Sequence, residues 1–256
     1  MSFLSFDRLE TLLSAIRNAR VLLIGDLCLD AYWYADMTRS ELSRETPRFP
    51  LPIVAETYSP GGAANVAANL AALGVGRVQA IGVLGQDWRG DILTRELIAR
   101  GIEVTAILRS PQRTTPTYIK PIRCGYGGIQ QEDSRLDFQD FTPLPADLED
   151  AVIAALRNAI TSVDAVVIGD QLDPGVITPR VRAALIELAI AEPQRPFVVD
   201  SRKHIADFRA MILKPNELEL AQAITPDRIG PFDRAELAAM GQALAHLAGR
   251  PCFVTI

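Results

Sequence analysis

The chain has 256 residues, 48% hydrophobic and 22% charged, enough apolar side chain for a sizeable core, which excludes intrinsic disorder. Twenty-six basic against 31 acidic residues leave a formal net charge of −5, so no global basic field exists to hold a nucleic-acid backbone. Three cysteines without paired spacing, no apolar run long enough for a bilayer and no basic–apolar leader predict a cytoplasmic protein with neither disulfide framework nor membrane partner.

In chain order, Leu4, Leu9, Leu12, Leu13 and Ile16 keep a helical stripe. A solid apolar run, Val21-Leu22-Leu23-Ile24, follows and closes on Gly25-Asp26. Similar runs recur at 78–84, 165–168, 197–199, 212–213 and 252–254. Uniform apolarity, rather than alternation, is the pattern of parallel strands covered on both faces. Helical stripes lie between the runs: Ala63, Val66, Ala67, Leu70 and Ala71; Leu148, Val152, Ala155, Leu156 and Ala159; Leu237, Met240, Leu244 and Leu247. The alternation predicts an α/β fold, a doubly wound, mostly parallel sheet with right-handed crossovers. Two stretches break the rhythm. Residues 46–58 hold three prolines and read as extended, and residues 114–138 carry Tyr118-Ile119-Lys120 and Arg135-Leu136-Asp137-Phe138 around three glycines. These predict strands outside the main sheet, near 31–58 and 114–138, forming a small β lid.

In open α/β sheets ligands bind beyond the carboxyl ends of the strands, so the residues after each apolar run are the candidates. After the first run come Asp26 and Asp30, whose carboxylates suit sugar hydroxyls; the plainer role for Asp26 is to cap a turn. Gly61 and Gly62 lead into a small-residue helix carrying Asn65 one turn in, a place where backbone N–H groups meet a polar ligand; an ordinary turn before a tightly packed helix is the alternative. Asp170, Asp200, Arg202 and Lys203 follow two neighbouring runs, suiting a phosphorylated polar substrate or forming loop ion pairs. Lys214-Pro215-Asn216-Glu217-Leu218-Glu219 follows another. Asn216 and Glu219 have capping-box spacing; the functional alternative places nucleotide phosphate at Asn216 and Mg²⁺, through water, at Glu219. No Walker phosphate loop, dinucleotide fingerprint, metal-spaced His/Cys cluster or nucleophile elbow is present in the sequence.

Taken together, 25–30, 61–65, 82–90 and 214–219 resemble, in order and spacing, the motifs of the ribokinase-like (PfkB) carbohydrate kinases, over nearly the whole chain. Within that family, Asp30-Ala31-Tyr32-Trp33-Tyr34, Ser43-Arg44-Glu45-Thr46-Pro47 and Arg135-Leu136-Asp137-Phe138 are most similar to the heptose 7-phosphate kinase domain of ADP-heptose synthesis proteins. The resemblance implies an ATP-dependent kinase acting on the anomeric hydroxyl of a heptose 7-phosphate. It implies sugar binding by Asp30, Gly61, Gly62, Asn65, Asp170 and Lys203. It implies ATP and Mg²⁺ at Lys214, Asn216 and Glu219, with Glu219 the metal residue, and a homodimer paired through the β lid.

The sequence departs from that pattern in three places. Gln171-Leu172-Asp173 stands where a tyrosine and a lysine usually follow the aspartate, and Arg202 precedes Lys203 where one lysine is expected earlier. The family's second signature, D-[TS]-x-G-A-G-D, does not occur, so the expectation is a domain over 1–256 that is incomplete at its C-terminus, with the catalytic aspartate beyond Ile256. The alternatives left open are a kinase for another sugar or a nucleoside, and a non-catalytic sugar-binding or dimerising relative.

Overall fold

The computed structural model describes residues 4–228 and 230–256. The chain opens with helix α1 (Phe6–Ile16), capped by the Ser5 hydroxyl, and then lays down β1 (Arg20–Gly25). From there it leaves the main sheet at once through β2 (Leu27–Asp36) and returns along β3 (Ile53–Gly62) into α2 (Ala63–Ala72). Next come β4 (Arg77–Gly85), α3 (Trp88–Ala99), which the Asp87 side chain caps, and β5 (Glu103–Ser110). Three further strands, β6 (Thr117–Cys124), β7 (Gln130–Glu132) and β8 (Leu136–Phe138), again lie outside the main sheet. The second half alternates: α4 (Ala146–Ile160), β9 (Ala165–Asp170), α5 (Pro179–Ala191), β10 (Phe197–Ser201), β11 (Ile212–Leu213), α6 (Glu217–Ile224) and α7 (Arg234–Ala248).

The main sheet has six strands in the order β11-β10-β9-β1-β4-β5, every pair parallel. This is the doubly wound α/β sheet that the apolar runs predict. Successive residues of β1 face opposite layers. Leu22 and Ile24 enter a core shared with Val152 and Leu156 of α4, Val181 and Leu185 of α5 and Leu244 of α7. Leu23 enters the other core, with Ala64 and Ala67 of α2 and Leu93 and Leu97 of α3. Leu22, Leu23 and Ile24 are fully buried, and each such side chain favours the folded state by roughly 1.5–3 kcal/mol over its exposed form.

The second sheet is a flap in the order β3-β2-β6-β7, with β8 paired to β6. The β2–β6 pair is parallel, which sets Asp30 beside Tyr118 and Tyr32 beside Lys120. The β2–β3 pair is antiparallel and sets Cys28 against Gly61 and Asp30 against Ser59. The flap is thus rooted at the end of β1, and β3 delivers the chain directly to the start of α2.

The run at 252–254, read as a strand, forms no ladder among the described residues; it makes one isolated parallel bridge, Leu213 to Cys252, and the next residue makes another, Asn216 to Thr255. Its neighbour β11 is two residues long and offers little backbone for a ladder. Leu237, Gly241 and Ala245 of α7 face Cys252, Val254 and Ile256 across an apolar groove of about 690 Å³. Among the described residues no helix is long and apolar enough to cross a membrane.

Candidate functional site

The carboxyl ends of β1, β9 and β10 meet the root of the flap, and most of the candidate residues gather there. Asp26 is buried and does not cap its own turn. Its carboxylate accepts the backbone N–H groups of Gln171 and Leu172 at 2.8 Å and of Val176 at 2.7 Å. Its backbone oxygen accepts the Ala63 N–H at 2.9 Å. Burial pushes the carboxyl up to about 6, against the pull of the three N–H groups. Asp26 therefore ties the 171–176 loop and the start of α2 to the end of β1.

Asp30 lies half-buried on β2. Burial pushes its carboxyl upward, while the nearby cations Lys120 and Arg135 pull it down. Lys120 Nζ stands 3.8 Å from the carboxylate and donates to the Tyr32 hydroxyl at 3.1 Å. Gly61 is needed beside it, because a Cβ there would come within 3.0 Å of Asp30 Cγ. Gly62, at φ +53°, makes the turn into α2, and a Cβ there would meet the Asp26 carbonyl oxygen at 2.7 Å. Asn65 is exposed on the first turn of α2.

A cavity of about 220 Å³ opens between the flap and the strand ends. The flap contributes Tyr118, Arg135 and Asp137, and the main sheet contributes Asp170, Gln171, Arg202 and Lys203. Asp170 is buried at the end of β9, accepts the Ser201 hydroxyl at 2.6 Å and is raised by burial. Lys203 Nζ pairs with Asp173 at 3.0 Å. Asp30, Gly61, Gly62 and Asn65 do not line this cavity. The sugar-binding candidates thus fall into two groups, one at the flap root and one in the cavity. Register joins them: Tyr118, on the cavity wall, is the β6 partner of Asp30.

The third group lies past β11. Lys214 Nζ binds Asp200 at 2.8 Å. Asn216 Oδ1 accepts the Glu219 N–H, and Glu219 Oε2 accepts the Asn216 N–H, both at 2.8 Å. These two side chains complete the capping box of α6. The Asn216 amide nitrogen and Glu219 Oε1 carry no partner among the described residues. Those atoms fit a nucleotide phosphate and a hydrated Mg²⁺, a cation that keeps several waters and takes one or two carboxylates. No group of three or more His, Cys, Asp or Glu able to hold a metal occurs among the described residues, so the remaining ligands would come from phosphate and water.

The pfkB family carbohydrate kinase model matches residues 19–255. The chain belongs to the pfkB family of carbohydrate kinases. Among curated relatives of this pfkB chain, the bifunctional protein HldE of Geobacter metallireducens is 34% identical over 241 residues, covering 93% of this chain and 46% of that protein. The D-beta-D-heptose 7-phosphate kinase of Bordetella bronchiseptica is 34% identical over 214 residues, covering 82% of this chain and 63% of that one. The chain spans about half the length of the HldE proteins it matches. In fold it is similar to phosphofructokinase-2 of Escherichia coli, with a TM-score of 0.61 at 20% identity over 91% of this chain and 71% of that one. It is likewise similar to Arabidopsis thaliana ribokinase, with a TM-score of 0.58 at 16% identity over 93% and 70%. The ribokinase-like architecture places the strand ends of this pfkB chain under the flap.

Residue types and motifs led to Asp30, Gly61 and Asp170. They did not lead to Gln171 as a structural node. Its side chain donates to Asp200 at 3.0 Å and accepts from Arg202 at 3.0 Å. Arg135, just before β8, and Asp137, within it, carried a weak signal: they stand two residues apart, both line the cavity, and they pair through two bonds of 2.6 and 2.7 Å.

Proposed function

We propose that the protein is an ATP-dependent kinase for a sugar phosphate, heptose 7-phosphate before others, phosphorylated at its anomeric hydroxyl. The observation that carries this is the juxtaposition at one flap root of a half-buried carboxylate, Asp30, and a cation-bearing cavity one strand away. The relatives named for heptose 7-phosphate support the choice of sugar.

Asp30, with Gly61, Gly62 and Asn65, would hold the sugar hydroxyls, and Asp170 and Lys203 would hold the part of the sugar in the cavity. Lys214, Asn216 and Glu219 would take the ATP phosphates. Mg²⁺, held through water by Glu219, would supply charge neutralisation on the transferring phosphoryl group. Phosphoryl transfer gains mostly from positioning and charge stabilisation, so each of these residues acts by orienting a reactant rather than by bonding to it. The flap would exclude water from the acceptor hydroxyl. No residue of this chain is assigned as the base. The outer flap surface, with exposed Val54, Ile129 and Leu136, would pair two copies. The setting proposed is the cytoplasm, where ATP and sugar phosphates are available.

A panel of sugars, sugar phosphates and nucleosides incubated with MgATP and the protein expressed from its complete reading frame tests the reading, with product detected by mass. Heptose bisphosphate as the dominant product is expected. Preferential turnover of another acceptor would transfer the assignment to that sugar, a reading favoured by Gln171-Leu172-Asp173, which departs from the pattern that the family resemblance implies. Sugar binding without product in any arm would leave a binding or pairing module.

A further inference from the structure

Arg89 is the second residue of α3, a place that does not suit a cation, because the free N–H groups of a helix's first turn disfavour positive charge. Its side chain is only 16% exposed. The nearest carboxylate oxygen, Asp87 Oδ2, stands 3.9 Å away and already accepts the Thr115 N–H at 2.9 Å. Arg89 Nε is buried with no acceptor among the described residues. What faces the guanidinium is aromatic. Its central carbon lies 4.0 Å from the centre of the Phe138 ring and 4.8 Å from that of Trp88. A ring face attracts a cation most strongly where water is excluded, so burial favours this stack.

Phe138 closes β8, the strand by which the chain leaves the flap. That strand is three residues long and its Leu136 is exposed, so it has little of its own to hold it in place. In register Phe138 stands beside Thr117 of β6, and Thr117 beside Leu29 of β2. The next row is Asp137, Tyr118 and Asp30. The way into β6 is tied to the same end of α3. Asp87 caps that helix by accepting the Gly90 N–H at 2.8 Å and takes the Thr115 N–H with its other oxygen. Asp140, just past β8, accepts the Thr114 N–H at 2.8 Å and pairs with Arg113 at 3.1 Å. The two passages of the chain around β6–β8 therefore meet at the start of α3, where Asp87 holds the one going out and Arg89 the one coming back.

We infer that Arg89 is a positioning residue: its stack on Phe138 pins β8 to the start of α3 and so sets where the neighbouring row, Asp137, Tyr118 and Asp30, stands over the strand ends. The pin works through charge as well as packing. An apolar side chain of similar length would fill the space but leave the ring face without its cation. It also explains a cation at a helix start that gains nothing from one: the charge serves the flap, not α3. For its effect on turnover the inference rests on the sugar-kinase reading; the pinning of β8 does not.

Hydrogen exchange on the protein expressed from its complete reading frame tests the pin, with residues 117–124 and 136–138 read against the central strands at 20–25 and 165–170. Arg89→Met should speed exchange in the flap segments about tenfold and leave the central strands unchanged. Arg89→Lys, which keeps a cation for the ring, should restore part of the protection, and Phe138→Tyr should keep it. Phe138→Leu should match Arg89→Met, and the double variant should add little to either. In turnover, Arg89→Met should raise KM for the acceptor several-fold, because fewer molecules present the row in its binding position, with kcat within about twofold of wild type. Unchanged flap exchange in Arg89→Met, equal acceleration of flap and central strands, or fully additive effects of the two substitutions overturns the inference. So does an unaltered KM in a variant whose flap exchanges faster. If wild type turns over no acceptor in the panel, the sugar-kinase reading fails, and the exchange rates alone decide whether Arg89 pins the flap.

Discussion

Glu219 and Asn216 each accept the other's backbone N–H at 2.8 Å, so the two residues that resemble a nucleotide motif are also the cap of α6. The cap uses one Glu219 oxygen and leaves the other free. The roles are separable because glutamine serves as well as glutamate at the third helical position of a capping box. Glu219→Gln should change stability by under about 0.5 kcal/mol. It should weaken MgATP binding about tenfold, the loss of one charge at a hydrated cation, while leaving binding of metal-free ATP alone. Unaltered MgATP affinity would make Glu219 a cap only. Asn216→Ala removes the cap itself and should cost about 1 kcal/mol in denaturant unfolding.

Gly61 and Gly62 are adjacent but constrained for different reasons. At Gly61 a methyl group would press on the movable carboxylate of Asp30 at 3.0 Å. Gly61→Ala should cost under about 1 kcal/mol of stability yet shift Asp30 and weaken sugar binding about tenfold. Gly62, at φ +53°, faces the backbone carbonyl of Asp26 at 2.7 Å, which cannot swing aside. Gly62→Ala should cost about 1–3 kcal/mol from backbone strain alone. Thermal melts alongside sugar titrations check the contrast. Two variants with the same ratio of stability loss to affinity loss would contradict it.

The sequence shows the central strands plainly because their residues are buried on both faces. Leu22, Ile168 and Val199 are fully enclosed, and no polar alternation interrupts their runs. The edge strand β5 was not legible: Glu103 and Thr105 are not buried, so it reads as neither strand nor helix. Asp30, Gly61 and Asp170 could be found because each follows an apolar run or a glycine pair. The role of Asp26 could not, since its partners lie about 150 residues away in a loop without a pattern. Arg202 and Gln171 were visible only as departures from a family pattern. Their mutual bond depends on how two loops meet, and no local periodicity encodes that.

Asp164 binds Arg20 through its backbone N–H at 2.8 Å and through its guanidinium at 2.7 Å, just before β9 and at the start of β1. These bonds hold the Asp164 carboxyl down at about 2. A carboxyl depressed in the folded state adds stability above its unfolded pKa of about 4, and that stability is lost as pH falls from about 4 to about 2. Asp164→Asn should therefore melt below wild type at neutral pH, and the two should converge near pH 2. A constant gap across that range would show that the pair acts through packing rather than charge.

Asp26 has the opposite sign. Its carboxyl is buried and raised to about 6, so the folded state holds a proton that the unfolded state has already released between about pH 4 and pH 6. Stability is then greatest at and below about pH 4 and falls as pH rises to about 6, by about 3 kcal/mol for this one group. Other carboxylates titrate in the same window, so the useful quantity is the difference between wild type and Asp26→Asn. The amide has no charge to desolvate, which removes the slope. It also replaces one acceptor oxygen with a donor facing N–H groups from Gln171, Leu172 or Val176, which costs about 1–3 kcal/mol at every pH. The variant should therefore be less stable than wild type at pH 4, and the two curves should approach each other by pH 7. Urea unfolding at half-unit pH intervals measures this. A wild-type advantage that stays constant or widens toward pH 7 would mean that Asp26 is ionised throughout, with its three N–H partners outweighing its burial.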